Sequence, residues 1–283
     1  MTFDDDHLLA RDLADAAGQR LLALRRARGD GDAARLRRDG DRQSHEFLAE
    51  QLARKRPADA LLSEEGRDDP ARLSASRVWI VDPLDGTREF GEPGRTDWAV
   101  HVALWDEGEL TAGAVALPAR GMTVSTAEPR ARGGAAAGQA DDARRSSARP
   151  RQQAPGGTPG GPAAAPRQKL RLLVSRSRPP AIAVALAGQL GAELVPLGSA
   201  GAKAAAVITG AADAYVHSGG QYEWDSAAPV AVALARGLHA SRIDGSKLVY
   251  NRPDPSLPDI LICPAELAGV LLAAISSQQQ RPE

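Results

Sequence analysis

A chain of 283 residues, 43% hydrophobic but only 4% aromatic, can form one large domain or two lobes, with Leu, Val and Ala filling the core. A formal net charge of −1 argues against a protein that coats nucleic acid or a membrane surface. One cysteine, Cys263, excludes an internal disulfide and suits a reducing cytoplasm, and no apolar run approaches the roughly 20 residues of a membrane span. The acidic start, Met1-Thr2-Phe3-Asp4-Asp5-Asp6, carries no apolar signal segment, so a cytoplasmic location is expected.

In chain order, Leu8, Leu9, Leu13, Ala16, Ala17, Leu21 and Leu24 recur at helical spacing. They predict a long amphipathic helix from His7 to Arg28, ended by Gly29-Asp30-Gly31. Arg35 to Gly40 is polar and reads as a loop. A second helix starts near Asp41, buries Phe47, Leu48 and Leu52, and closes at Pro57. Asp59 to Ser63 is a short strand that delivers Glu64-Glu65-Gly66. Val78-Trp79-Ile80-Val81 is a buried strand ending on Asp82. Trp98 to Trp105, Leu110 to Leu117 and Gly121 to Thr126 read as antiparallel strands, the first two joined by the turn Asp106-Glu107-Gly108.

Pro129 to Gln168 holds no Val, Ile, Leu, Met, Phe, Trp or Tyr, and is expected to be disordered because it cannot bury enough apolar surface. It divides the chain into an N-terminal lobe (1–128) and a C-terminal lobe (169–283). In the second lobe strands and helices alternate. Strands are expected at Leu170–Val174, Glu193–Pro196, Ala214–His217, Leu248–Tyr250 and Ile260–Cys263. Helices are expected at Pro180–Leu190, Ala202–Thr209, Ser226–Arg236 and Ala265–Ser276. The fold class is therefore α/β: an α+β first lobe with a mainly antiparallel sheet, then an α/β lobe.

The chemistry concentrates in Asp82-Pro83-Leu84-Asp85-Gly86-Thr87. Two carboxylates leave a buried strand, and Gly86 permits a tight turn that exposes backbone N–H groups. Anionic oxygens suit a divalent cation, and free N–H groups suit a phosphate. Asp41, Glu64 and Asp225 also stand at element ends. Taken singly, Asp41 and Asp225 fit helix caps and Glu64 a surface charge. If all these carboxylates converge, bound cations must neutralise them. His101, Trp79, Trp98, Trp105 and Cys263 read as packing residues.

The Asp82–Thr87 stretch resembles the signature of the inositol monophosphatase superfamily of Mg²⁺-dependent, lithium-sensitive phosphatases. Glu64-Glu65, Gly198-Ser199-Ala200-Gly201-Ala202-Lys203, Gly210–Tyr215 and Trp224-Asp225-Ser226-Ala227-Ala228 are similar to its other motifs, in the same order. The resemblance implies the layered α-β-α-β-α sugar-phosphatase fold. It also implies a first Mg²⁺ on Glu64, Asp82 and the Leu84 carbonyl, a second on Asp82, Asp85 and Asp225, and a weaker third near Glu64. Asp41 and Thr87 would activate the attacking water, and Gly86 and Thr87 would hold the phosphate. The approach to Asp41, Leu36-Arg37-Arg38-Asp39-Gly40, departs from the family's Val-Thr-x-Ala-Asp.

Within the superfamily, Thr87-Arg88-Glu89-Phe90, Glu223 before Trp224-Asp225, and Val174-Ser175-Arg176-Ser177 are similar to the 3′(2′),5′-bisphosphate nucleotidases of the actinobacterial CysQ type. In the last motif Arg178 stands where those enzymes have His. The implied reaction removes the 3′-phosphate of 3′-phosphoadenosine 5′-phosphate (and of 3′-phosphoadenylyl sulfate) in sulfate assimilation. Arg176, Ser199 and Lys203 are candidates for binding the substrate, together with Glu64, Leu84, Asp85, Gly86, Thr87 and Asp225. Inositol 1-phosphate or fructose 1,6-bisphosphate is the alternative substrate, and a silent phosphonucleotide or metal sensor the non-enzyme alternative. A homodimer is left open.

Overall fold

The two opening helices of the computed structural model, α1 (Phe3–Arg28) and α2 (Ala33–Lys55), cover one face of a five-stranded sheet. The structure describes residues 3–28, 31–127 and 169–279; the expected helix break at Gly29-Asp30 and the Pro129–Gln168 segment lie outside them. Helix α2 begins earlier than its sequence suggests, so Arg35 to Gly40 is helix and not loop. Asp32 caps it, its side chain accepting from the N–H groups of Ala34 (2.9 Å) and Arg35 (3.1 Å). Every fourth residue from Leu36 to Leu52 is buried, but the stripe includes Gly40 and Ser44, which hide it among arginines. Gly40 is there for close packing. A Cβ would stand 2.8 Å from Phe90 and 3.0 Å from Leu84, so any side chain would push the helix off the site. Asp41 lies inside the helix and caps nothing.

The first sheet runs β1 (Ala60–Ser63), β2 (Arg77–Asp85), β3 (Ala99–Asp106), β4 (Glu109–Leu117), β5 (Met122–Ser125), with β1 parallel to β2 and the others antiparallel. Strand β2 does not stop at Asp82. Its pairing jumps from Asp82↔His101 to Asp85↔Ala99, so Pro83 and Leu84 bulge out between the two carboxylates. The single helical turn α3 (Thr87–Gly91) follows, pinned by an edge-to-face contact between Phe90 and Trp98 (centroids 5.0 Å apart).

The second lobe holds β6 (Arg171–Ser175), α4 (Ala181–Leu190), β7 (Glu193–Leu197), α5 (Ala200–Ile208), β8 (Ala214–Tyr222), α6 (Glu223–Ala235), β9 (His239–Ser241), β10 (Ser256–Cys263) and α7 (Ala265–Gln279). Its sheet has the order β7-β6-β8-β10-β9. Helices α5 and α6 fill the space between the two sheets, and α4 and α7 pack on the outer face of the second. The layers are therefore α-β-α-β-α, as the motifs imply. Leu248–Tyr250 is not a strand: Asn251 turns at φ 57°, and the two edges of β10 are taken by β8 and by β9. Strand β9 has no clear sequence signal, because it is three residues long and polar at both ends.

Candidate active site

The bulged end of β2 and the first turn of α6 meet between the lobes. Asp82 is 1% exposed, and its Oδ1 accepts from the Leu84 N–H at 3.0 Å, which holds the bulge in shape. The Ser44 hydroxyl donates to the Pro83 carbonyl at 2.7 Å from α2. Asp85 is held from the other lobe: it accepts from Ser199 Oγ (2.5 Å), Ala200 N (3.1 Å) and Gly201 N (2.6 Å) at the start of α5. Asp225 sits in the first turn of α6, where its Oδ2 accepts from the Tyr222 N–H at 2.7 Å; it is not the residue that caps the helix.

Oxygens of Asp82, Asp85 and Asp225 all lie within 4.8 Å of one another. Glu64, at the end of β1, faces the same point but stands more open to solvent. Such crowding leaves a signature in proton affinity. Burial, then the charges of Glu64, Asp85 and Asp225, push the Asp82 carboxyl well above the carboxylate range. Burial and Asp225 raise Glu64 to about 7, and burial and Asp85 raise Asp225 to about 6. Asp85 goes the other way. Burial opposes its charge, but His101, Lys203 and Ser199 prevail and hold it at about 2. A set of buried carboxylate oxygens with an unmet need for positive charge fits a hard divalent cation such as Mg²⁺.

Beside the cluster, Thr87 Oγ1 lies 3.1 Å from Asp41 Oδ1 and 3.0 Å from the Leu84 carbonyl. Burial, then the charge of Glu65, raises Asp41 to about 6. Gly86 adopts φ 84°, the left-handed turn expected of it. Helix α3 is only five residues long, so it offers an anion N–H groups rather than a macrodipole.

A cleft of about 460 Å³ opens from Asp85 and Asp225, lined by Ser175, Arg178, Lys203, Tyr215, His217 and Gln221 among others. Lys203 lines it but is 3% exposed, with Nζ donating to the carbonyls of Gly198 (2.6 Å) and Ser199 (2.9 Å). Arg176 does not line it. Its guanidinium donates to Glu89 (2.7 Å) and Glu92 (2.8 Å) and ties α3 to β6. Glu89 is thus the partner of Arg176. Arg178 lines the cleft, exposed and without an ion-pair partner among the described residues.

Glu223, singled out for its place before Trp224-Asp225, points away from the cleft. Its carboxylate accepts from the N–H groups of Asn251 (2.7 Å) and Arg252 (2.9 Å). The buried Arg72 of the first lobe grips the same turn, at Asn251 Oδ1 (2.7 Å) and the Arg252 carbonyl (2.9 Å). The helix carrying Asp225 is therefore clamped to the first lobe. Sequence reasoning misses the roles of Arg72 and His101, which reach far along the chain to Asn251 and Arg252 and to Trp224. A lone polar residue on the small-residue face of an apolar strand, His101 between Ala99 and Ala103, is the one available signal.

The raised carboxylates set a pH dependence. A carboxyl whose folded pKa is raised stabilises the fold most below its ordinary pKa, and that stabilisation is lost as pH rises through the folded value. With Glu64 raised from 4.5 to about 7 and Asp225 from 3.8 to about 6, the metal-free cluster becomes destabilising between about pH 4 and pH 7. Cations bind the deprotonated form. The rise in Tm on adding Mg²⁺ is thus expected to be several degrees larger at pH 8 than at pH 5.5. Scanning calorimetry at the two pH values tests this, and an equal or smaller rise at pH 8 would refute it.

Residues 7–280 match the model of the inositol monophosphatase family. The 3′-phosphoadenosine 5′-phosphate phosphatase of Mycobacterium bovis is 49% identical over 265 residues, covering 92% of this chain and 89% of its own. The protein of that name from Mycobacterium leprae is 47% identical over 279 residues, covering 95% and 93%. Among solved structures, CysQ from Bacteroides thetaiotaomicron, a bacterial member of the same family, matches with a TM-score of 0.70 and 25% identity over 93% of this chain and 98% of that one.

Proposed function

This chain belongs to the inositol monophosphatase family, and on that premise we propose that it is a Mg²⁺-dependent phosphatase that removes the 3′-phosphate of 3′-phosphoadenosine 5′-phosphate. The products are AMP and phosphate, and 3′-phosphoadenylyl sulfate loses its 3′-phosphate in the same way. The names of the mycobacterial relatives favour this substrate. The observation that carries the reading is the convergence of Asp82, Asp85 and Asp225 at the inner end of a polar cleft with basic side chains on its wall.

Glu64, Asp82, the Leu84 carbonyl, Asp85 and Asp225 are the groups that would hold two or three Mg²⁺ ions, with lithium inhibiting by competing for one place. When bound, the ions neutralise the site and act as Lewis acids on the phosphate. Thr87 Oγ1 takes a proton from the attacking water and passes its own to Asp41 Oδ1, 3.1 Å away. A carboxylate with a pKa near 6 is a competent acceptor at neutral pH. The water oxygen bonds to phosphorus as the bond to the ribose O3′ breaks, and O3′ leaves on the opposite side and takes a proton from a solvent water, whose hydroxide is neutralised by the proton held on Asp41. The N–H groups of Gly86 and Thr87 cradle the reacting phosphate. Ser199 holds Asp85 in place, and Lys203 lends positive charge from beneath the cleft.

The 5′-phosphate needs its own cation. Arg178 takes that part in place of Arg176, which Glu89 and Glu92 already occupy. The test compares kcat/KM for the adenosine bisphosphate, inositol 1-phosphate and fructose 1,6-bisphosphate at equal Mg²⁺. The bisphosphate nucleotide is expected to be the best substrate. Arg178→Ala is expected to lower its kcat/KM about 10- to 100-fold, the size of a charge-assisted contact, while sparing inositol 1-phosphate. Preference for a sugar phosphate would overturn the substrate assignment, and no phosphate release with any of the three would favour a sensor.

A further inference from the structure

His101 is fully buried in the middle of β3, where it pairs with Asp82 on one side and Val115 on the other. Val100, Val102 and Leu104 point to the α1/α2 layer, and Ala99, His101 and Ala103 to the α5/α6 layer. An imidazole in that apolar layer costs free energy unless both ring nitrogens are engaged. Both are. Nδ1 lies 3.0 Å from the Trp224 carbonyl, and Nε2 lies 3.1 Å from Asp85 Oδ2, an ion-pair approach rather than an aligned hydrogen bond. A carbonyl oxygen can only accept, so Nδ1 is the donor to Trp224, while Nε2 faces the Asp85 carboxylate as an ion-pair contact.

The neighbourhood is shaped to admit the ring. The alanines on either side of it are small. Gly201, whose N–H also donates to Asp85 Oδ2, lies against it. A Cβ on Gly201 would stand 2.1 Å from Nε2. The same ring therefore touches one acid of the cluster directly and, through the Trp224 carbonyl, the backbone one residue before another. Those two acids belong to different lobes.

We propose that His101 is a positioning residue that ties Asp85, at the end of β2, to the α6 turn bearing Asp225, and so sets the affinity of the acidic cluster for divalent cations. The inference rests on the cation-binding reading of that cluster. Groups that orient metal ligands from behind typically change metal affinity 10- to 100-fold when removed. Asn in place of His keeps one donor and reaches one partner; Gln is longer, but its single amide cannot span both acceptors.

The test measures Mg²⁺ binding by calorimetry for wild type, His101→Asn and His101→Gln, alongside kcat and nucleotide KM at saturating Mg²⁺. The Kd for Mg²⁺ is expected to rise about 10- to 100-fold, with kcat and nucleotide KM within about threefold of wild type once Mg²⁺ saturates. A Kd within twofold of wild type, or a kcat that saturating Mg²⁺ does not restore, overturns the proposal. Should both variants fail to fold, the wild type labelled with ¹⁵N-histidine decides. A shift of the His101 ring nitrogens on Mg²⁺ saturation supports it, and ring signals that do not move on Mg²⁺ saturation refute it. Wild-type protein that binds no Mg²⁺ at all would instead refute the cation-binding reading itself.

Discussion

Asp82→Asn will lower turnover by about 10³-fold and at the same time raise the melting temperature of the metal-free protein. Asp82 is almost fully buried, and the charges of Glu64, Asp85 and Asp225, all of its own sign, act on it. Its ionised form is therefore costly in the folded protein. By linkage, a carboxyl with a raised folded pKa opposes folding at neutral pH, where the unfolded chain holds it ionised at no such cost. Asparagine keeps the shape, and its carbonyl can still accept from the Leu84 N–H, so the bulge survives while one charge disappears.

The gain in stability is expected to be on the order of 1 kcal/mol, or about 2–4 °C in a chain of this size. The loss of function is much larger. Removing a charged ligand that acts on the reacting phosphate should cost on the order of 10³-fold in kcat/KM, which corresponds to about 4 kcal/mol of transition-state stabilisation. The rise in Tm on adding Mg²⁺ should shrink in parallel. A variant that keeps a tenth of wild-type activity, or melts lower than wild type without metal, would show that Asp82 is not what its surroundings suggest. Stability and activity moving in opposite directions is the mark of a site assembled against its own electrostatics.

The second large effect concerns Thr87 and Asp41. Thr87→Val removes the hydroxyl that faces both Asp41 and the Leu84 carbonyl, with little change in volume. Asp41→Asn removes the proton acceptor. Each change alone is expected to lower kcat about 10²- to 10⁴-fold, the range for a positioned general base. Groups that act as one unit are not additive, so the double variant should be barely worse than the poorer single one. Neither residue belongs to the three-acid cluster, so Mg²⁺ affinity should stay close to wild type. Multiplying defects in the double variant would separate the two residues and sink the relay. An unchanged kcat in Asp41→Asn would leave Thr87 without the partner assigned to it.

Much of this site is legible in the amino-acid sequence, and what is not legible has a physical cause. Asp82, Asp85 and Asp225 come together because each is placed by its own local backbone. Two leave the end of an apolar strand, and the third lies in the first turn of a helix of small residues. Those signals live within a few residues. The start of α2 is hard to read because its buried stripe uses Gly40 and Ser44, residues with no hydrophobic signature. Arg176 reads as a substrate ligand because its partners lie elsewhere: Glu89 is 87 residues away in sequence and Glu92 is 84. A residue string cannot tell a guanidinium already paired from one still open, and so it does not rank Arg178 above Arg176.

Local properties of the chain specify the alternating α/β elements, the acidic signature and its neighbouring Thr87, while the layering comes from the family resemblance. Strand and helix periodicity and turn chemistry act within a few residues. Which charges face one another is settled only when the chain is folded: His101 against Asp85, Glu223 and Arg72 on the Asn251–Arg252 turn, and Arg176 on Glu89. Each of those pairs crosses from one lobe to the other or spans separate strands and loops. The stretch from Asp82 to Thr87 remains the centre of the molecule, but its acids acquire their proton affinities, and so their capacity for cations, from groups the folded chain brings in from far away.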